Sequence, residues 1–84
     1  MIIIGEKING TRETVGKAIR DRNTEMIQAL AMTQDEGGAD YLDVNAGTHP
    51  QEEPRDMTWL VETIQTVTKT RLCLDSPNPQ ALLS

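Results

Sequence analysis

Apolar positions alternate along the chain between short continuous runs and longer stretches with helical spacing. Ile2-Ile3-Ile4 is a β-branched run closed by Gly5. Such runs suit strands buried on both faces, as in parallel sheets. Residues 6–12 read as a polar loop. Asn9-Gly10 is a hairpin dipeptide when strands alternate on both sides, but Thr11-Arg12-Glu13-Thr14 does not alternate, so the segment reads as a βα connection. Residues 15–20 form a short helical stretch. Asn23 or Thr24 caps a better helix, with Glu25 in its first turn to suit the dipole. Met26, Ile27, Leu30 and Ala31 give that helix one apolar face, and Gly37-Gly38 ends it with a left-handed cap.

Tyr41-Leu42-Asp43-Val44 reads as the second strand and residues 45–54 as a long polar loop. Asp56 is placed to cap a third helix whose apolar positions are Met57, Leu60, Val61, Ile64 and Val67. Thr63, Thr66, Thr68 and Thr70 lower helix propensity in its later half. Arg71-Leu72-Cys73-Leu74 reads as the third strand, followed by a loop at Asp75-Ser76-Pro77. Asn78-Pro79 then forms an N-cap and N1 pair for another helix.

The second and third strands start about 30 residues apart, the length of a βαβ crossover. Strands alternating with helices predict a parallel α/β sheet. Right-handed crossovers put the helices of three such units on one face, which leaves the other face bare and both edges unpaired. A (β/α)8 barrel removes both problems by closing the sheet, but needs roughly 250 residues. The expected fold is therefore the first three βα units of a (β/α)8 barrel, truncated before closure, with residues 1–84 as the N-terminal part of that domain. The alternative is a small open α/β domain stabilised by self-association.

Composition sharpens this. The chain has 84 residues and 37% apolar residues, with Tyr41 and Trp59 as its aromatics and a single cysteine. A self-contained domain of this size usually leans on aromatics, disulfides or metals. The net charge is −5, from 13 acidic and 8 basic residues, and the cations form no stripe. Nucleic-acid binding and a basic membrane-surface helix are therefore not expected. No apolar run is long enough to cross a bilayer, and Met1 leads straight into a strand-like run with no signal-peptide pattern. Cys73 has no partner for a disulfide within the chain, and a cytoplasmic location is expected.

Ligands of parallel α/β folds bind at the carboxyl ends of the strands. The residues there are Glu6, Lys7 and Asn9 after the first strand, Asp43, Asn45 and His49 at the second, and Asp75, Ser76 and Asn78 at the third. Carboxylates and amides suit a planar heterocycle with a guanidine-like edge. One Asp can accept from a ring N–H and an adjacent amino group together, as it would from Arg, and an Asn can both donate and accept. The same residue types suit a sugar, a nucleobase or a metal.

Each residue also has a plainer role. Asp75 can cap the turn that follows it. Asp43 alternates with Leu42 and Val44, and either faces a barrel interior or anchors a loop amide. Asn9 and Asn45 can be turn residues. His49 reads as a solvated loop residue, Cys73 as a small buried apolar residue, and Trp59 as a packing or partner contact. No CxxC, HExxH, P-loop or strand-following GxGxxG occurs, so no metal site and no catalytic nucleophile is expected.

Three segments, residues 2–10, 37–47 and 72–78, carry a resemblance. IIIGEKING, GGADYLDVNAG and LCLDSPN together resemble the pterin-binding methyltransferases, above all those that act on methyltetrahydrofolate and a corrinoid/iron–sulfur protein. Dihydropteroate synthase is a more distant relative. The resemblance implies a (β/α)8 barrel, usually a homodimer, that binds methyltetrahydrofolate and passes its N5 methyl to the cobalt of a corrinoid carried by a partner protein. It implies that Asp75 contacts the pterin ring, that Asn9, Asp43 and Asn45 line the same cavity, and that Ser76 lies beside them. Pro77 departs from some members in the third loop. The alternatives are a dihydropteroate synthase-like enzyme and a non-catalytic truncated assembly unit. Glu6-Lys7-Ile8-Asn9-Gly10 fits the methyltransferase form better. Further pterin contacts come from later strands in that family, so the 84 residues alone are expected to be inactive.

Overall fold

A computed structural model describes residues 2–74. Asp75, Ser76 and the helix expected at Asn78-Pro79 lie outside the described residues. The element order is β1 (Ile4–Asn9), α1 (Glu13–Arg20), α2 (Thr24–Glu36), β2 (Tyr41–Asn45), α3 (Glu53–Gln65) and β3 (Arg71–Leu74). The strands form one parallel sheet in the order β1-β2-β3. This is an α/β arrangement of three βα-like units.

The core lies between one face of the sheet and the helices. Ile8, Leu42 and Val44 supply it from the strands, Val15, Ile19, Ile27 and Ala31 from α1 and α2, and Met57, Leu60 and Ile64 from α3. Leu42 and Val44 are fully buried, whereas Tyr41, Asp43 and Asn45, which alternate with them, are half-buried. Leu72 and Leu74 continue the core side onto β3, and Cys73, paired with Asp43, stands on the other side. Cys73 is exposed, not buried as its apolar neighbours suggest, because no described helix covers that face.

The first strand departs from the expected position. Residues 6–9 belong to it, and Ile2 and Ile3 precede the ladder, which begins at Ile4↔Tyr41. Ile2, Ile3 and Ile4 are 68%, 45% and 52% exposed, so this run stays out of the described core. The register then shifts. Gly5 pairs with Leu42 and Ile8 with Val44, so Glu6 and Lys7 together stand where Asp43 stands alone on β2. An extra residue of this kind is a bulge, which reverses the side to which all later residues point.

The second helix starts at the expected cap: the Asn23 side chain accepts from Met26 N–H at 3.2 Å. Its end differs slightly, since Gly37 has φ −76° and the left-handed residue is Gly38, at φ +87°. Asp56 does not cap α3. That helix begins three residues earlier, with Pro54 in its first turn, where a missing N–H costs nothing. Asp56 is instead buried inside the helix and meets Arg22 Nη2 at 2.6 Å. Arg22, in the turn between α1 and α2, also donates to Ile19 O at 3.1 Å and lies 4.9 Å over the Trp59 ring. Its backbone is left-handed, with φ +54°. On the surface, Lys17 Nζ lies 2.6 Å from Asp21 Oδ2. That hydrogen bond, and then the lysine charge, holds the Asp21 carboxyl below its ordinary value. An exposed pair of this kind contributes little stability.

The Arg22–Asp56 contact ties the α1–α2 turn to α3, and removing Arg22 leaves the buried carboxylate only the exposed Arg55, whose Nε lies 3.7 Å away. Arg22→Met should cost about 2–3 kcal/mol in urea unfolding, less than a fully buried pair because Arg22 is a third exposed. The double variant Arg22→Met/Asp56→Leu should recover part of that loss, and strict additivity would show that the pair is not coupled.

Candidate functional site

The register shift in β1 decides which side chains share the carboxyl end of the sheet. After the bulge, Ile8 turns into the core and Asn9 turns the other way. Asn9 pairs with Asn45, and Asp43 lies two residues before Asn45 on the same face. Three of the expected site residues, Asn9, Asp43 and Asn45, are thus brought together on the sheet face that the described helices leave uncovered. Asp75 and Ser76 lie outside the described residues.

Both asparagines also make the turns that their sequences suggest. Asn9 Oδ1 accepts from Thr11 N–H at 2.9 Å and from the Thr11 hydroxyl at 2.5 Å. Asn45 Oδ1 accepts from Gly47 N–H at 2.8 Å. These are Asx turns, two residues forward in each case. The chemistry fixes the amide orientation, because only the oxygen can accept from a backbone N–H. Each carboxamide therefore turns its oxygen to its own loop. With Asp43, the cluster holds two carboxamides and one carboxylate.

The two loops touch through their backbones. Gly10 N–H donates to Asn45 O at 2.6 Å. A side chain on Gly10 would collide with the Ala46 carbonyl, and one on Gly47 with the Gly10 carbonyl at 2.8 Å. Gly16, in α1, packs as closely, since a Cβ there would lie 2.6 Å from Gly10 O. Gly47 is also left-handed, at φ +64°. Glycine at 10 and 47 thus allows the β1 and β2 loops to lie directly on one another, and the spacing of Asn9 and Asn45 is set by main chain.

Farther out, His49 is exposed, as expected. Its Nδ1 accepts from Gln51 N–H at 3.2 Å, and its carbonyl accepts from Glu52 and Glu53 N–H, so it shapes the approach to α3. Thr48, between Asn45 and that approach, has a buried hydroxyl with no hydrogen-bond partner. Among the described residues no cluster of three or more His, Cys, Asp or Glu is arranged to hold a metal, and no helix is long and apolar enough to cross a membrane. An open concavity of about 510 Å³ lies at the opposite, amino end of the sheet, between Ile2, Asp40, Tyr41, Lys69 and Arg71. It contains none of the strand-end amides; its lysine and arginine are exposed, and its aspartate accepts from Ile3 N–H at 2.7 Å.

Sequence reasoning missed two supports of the cluster. Thr11 doubles the hold on Asn9, and its signal was the Asn-Gly-Thr spacing. Gln34 bonds the bulge in β1 from α2, 27 residues away, and no local pattern announces it.

A methylcorrinoid:tetrahydrofolate methyltransferase of Eubacterium limosum is 45% identical to the chain over 82 residues. The chain is similar to a methyltransferase. The matched region takes in 98% of this chain and 30% of that protein. No family model matches. At this identity over nearly every residue, the similarity supports the methyltransferase family.

The glycine contacts yield a paired test. Gly47→Ala meets both backbone strain and a collision, and should cost about 2–4 kcal/mol in denaturant unfolding. Gly38→Ala meets a positive φ with open space around it, and should cost about 1 kcal/mol. Equal losses would show that the Gly10–Gly47 contact is not tight.

Proposed function

We propose that this chain is the N-terminal part of a pterin-binding (β/α)8 barrel, in a methyltransferase that moves a methyl group between tetrahydrofolate and a corrinoid held by a partner protein. The observation that carries this reading is the cluster of Asn9, Asp43 and Asn45 at the carboxyl ends of β1 and β2, on the uncovered face of a parallel sheet. The likeness to the Eubacterium limosum enzyme supports it across the chain. The chain spans 30% of that relative's length, so the remaining wall of the site falls to later strands.

The residue types fit the ligand. A pterin presents an amino group beside a ring N–H, which a carboxylate accepts as a pair, and a ring carbonyl, which an amide NH2 can bond. Asp43, and Asp75 beyond the described strand end, would take the first role. Asn9 and Asn45 would take the second, since their oxygens already serve the turns. The corrinoid supplies the cobalt with which N5 exchanges the methyl group. The protein then needs no nucleophile of its own. Its task is to hold the ring and to balance N5 between protonated and free states, which polar groups around the ring can do. The relative's name runs from methylcorrinoid to tetrahydrofolate, the reverse of the direction first expected from the sequence. N5 would then have to present its lone pair as the neutral amine, and the one proton it still carries would leave once the methyl is attached. The same cluster serves either direction, and we assign the one that gives tetrahydrofolate the methyl group.

In the whole protein, Asp43→Ala and Asp75→Ala should weaken tetrahydrofolate binding about 10- to 100-fold, and Asn9→Ala or Asn45→Ala about fivefold, by calorimetry. Unchanged affinity in all four variants would end the assignment of the pterin site. Barrel closure predicts a second result. Cys73 is exposed in the 84-residue chain. In the whole protein its thiol should react with a water-soluble thiol reagent at least about tenfold more slowly than in the isolated chain, because it would line a closed barrel. Equal rates would argue against closure.

A further inference from the structure

The bulge in β1 leaves one backbone N–H outside the ladder, and a side chain from the helix layer takes it up. Lys7 N–H donates to Gln34 Oε1 at 2.9 Å. Gln34 Nε2 in turn donates to Leu30 O, one turn back on α2, at 3.2 Å, which fixes the orientation of the carboxamide. The groove that receives it is made by Gly5. A Cβ at that position would fall on the Gln34 carboxamide and within 3.0 Å of Leu42 Cδ2. Glycine at 5, glutamine at 34 and the register shift between Gly5 and Ile8 are one device.

The device acts on Asn9. In a regular strand continuing from Gly5, Lys7 and Asn9 would share the core side and Ile8 would lie on the uncovered face. The extra residue reverses this, burying Ile8 completely and setting Asn9 beside Asn45. We infer that Gln34, from the far side of the sheet, is a positioning residue for the folate site: its carboxamide holds the bulge that places Asn9. This inference rests on the pterin reading above, and concerns a residue that touches no part of that site. In the arginine-lined cleft Arg22 and Arg55 both meet Asp56, and nothing shows what covers the exposed Ile2 and Ile3 before β1.

The test is a thermodynamic cycle on the whole protein, read as the dissociation constant for tetrahydrofolate. Gln34→Leu keeps the bulk and removes the acceptor, and should weaken binding about fivefold, as Asn9→Ala does. The double variant should bind no more weakly than either single one, because both changes remove the same contact. Gln34→Glu keeps an acceptor for Lys7 N–H but loses the donor to Leu30 O, so it should bind more weakly than the wild type yet better than Gln34→Leu. If Gln34→Leu does not fold, Gly5→Ala displaces the carboxamide without altering α2 and should give the same loss. Amide hydrogen exchange at Lys7 gives a readout independent of ligand. It should quicken in Gln34→Leu and Gly5→Ala, and less in Gln34→Glu. Additive losses in the double variant, or unchanged binding in Gln34→Leu while Asn9→Ala binds weakly, would overturn the role of Gln34. If Asn9→Ala itself binds normally, the pterin reading of Asn9 fails first, and the role of Gln34 in that site fails with it.

Discussion

One extra residue in β1 reconciles two demands that a regular strand could not meet together. The core needs Ile8, and the carboxyl-end cluster needs Asn9 one position later but also level with Asn45. Gly5 has already committed the strand to the core side opposite Leu42. With strict alternation, a strand carrying Gly5 inward would carry Ile8 outward. Opposing Glu6 and Lys7 to Asp43 absorbs the mismatch. The cost of the defect, an unpaired N–H, is met by Gln34, and the defect sits next to the polar cluster, where bulges often re-aim side chains.

The rest of the fold follows the sheet's sidedness. Leu42, Val44, Leu72 and Leu74 hold the helices on one face, while Asp43, Asn45 and Cys73 face away. The loops that carry the amides are fixed through main chain at Gly10 and Gly47. The Arg22–Asp56 pair and the Gln28 side chain, which donates to Thr66 Oγ1 at 2.8 Å, tie α2 and the turn before it to α3. The helices support one face, and the polar residues Asp43 and Asn45 stand on the other. The proposed barrel would turn that polar face inward.

Much of this was legible in the sequence, and the failures share a cause. The strand at Arg71–Leu74 and the start of α2 could be read because local signals mark them: the short apolar run itself and the capping Asn23. Alternation alone put Asp43 opposite Leu42 and Val44. The first strand was misplaced because Glu6-Lys7 looks like a loop, and nothing local says that two polar residues occupy one rung. Asp56 looked like a cap because an acidic residue preceded an apolar run. Its true partner, Arg22, is 34 residues away. Cys73 looked buried because its neighbours are leucines, and only the pairing with β2 shows which side it takes. In each case a contact distant in sequence decided the matter. The third strand end, with Asp75 and Ser76, lies outside the described residues, so the reading of the site stands on the first two strands.

The two Asx turns carry a consequence for the alphabet available at these positions. At Asn9 and Asn45 the side-chain oxygen builds the loop, and on the proposed reading the nitrogen is the atom that meets the pterin. Architecture and recognition are divided between two atoms on one carbon. Aspartate could build the turn but would offer a second acceptor in place of the donor. Serine has a single hydroxyl for both tasks. Glutamine, one methylene longer, no longer reaches the N–H two residues on in the same geometry. On that reading, two positions that look like ordinary turns favour asparagine over its close analogues.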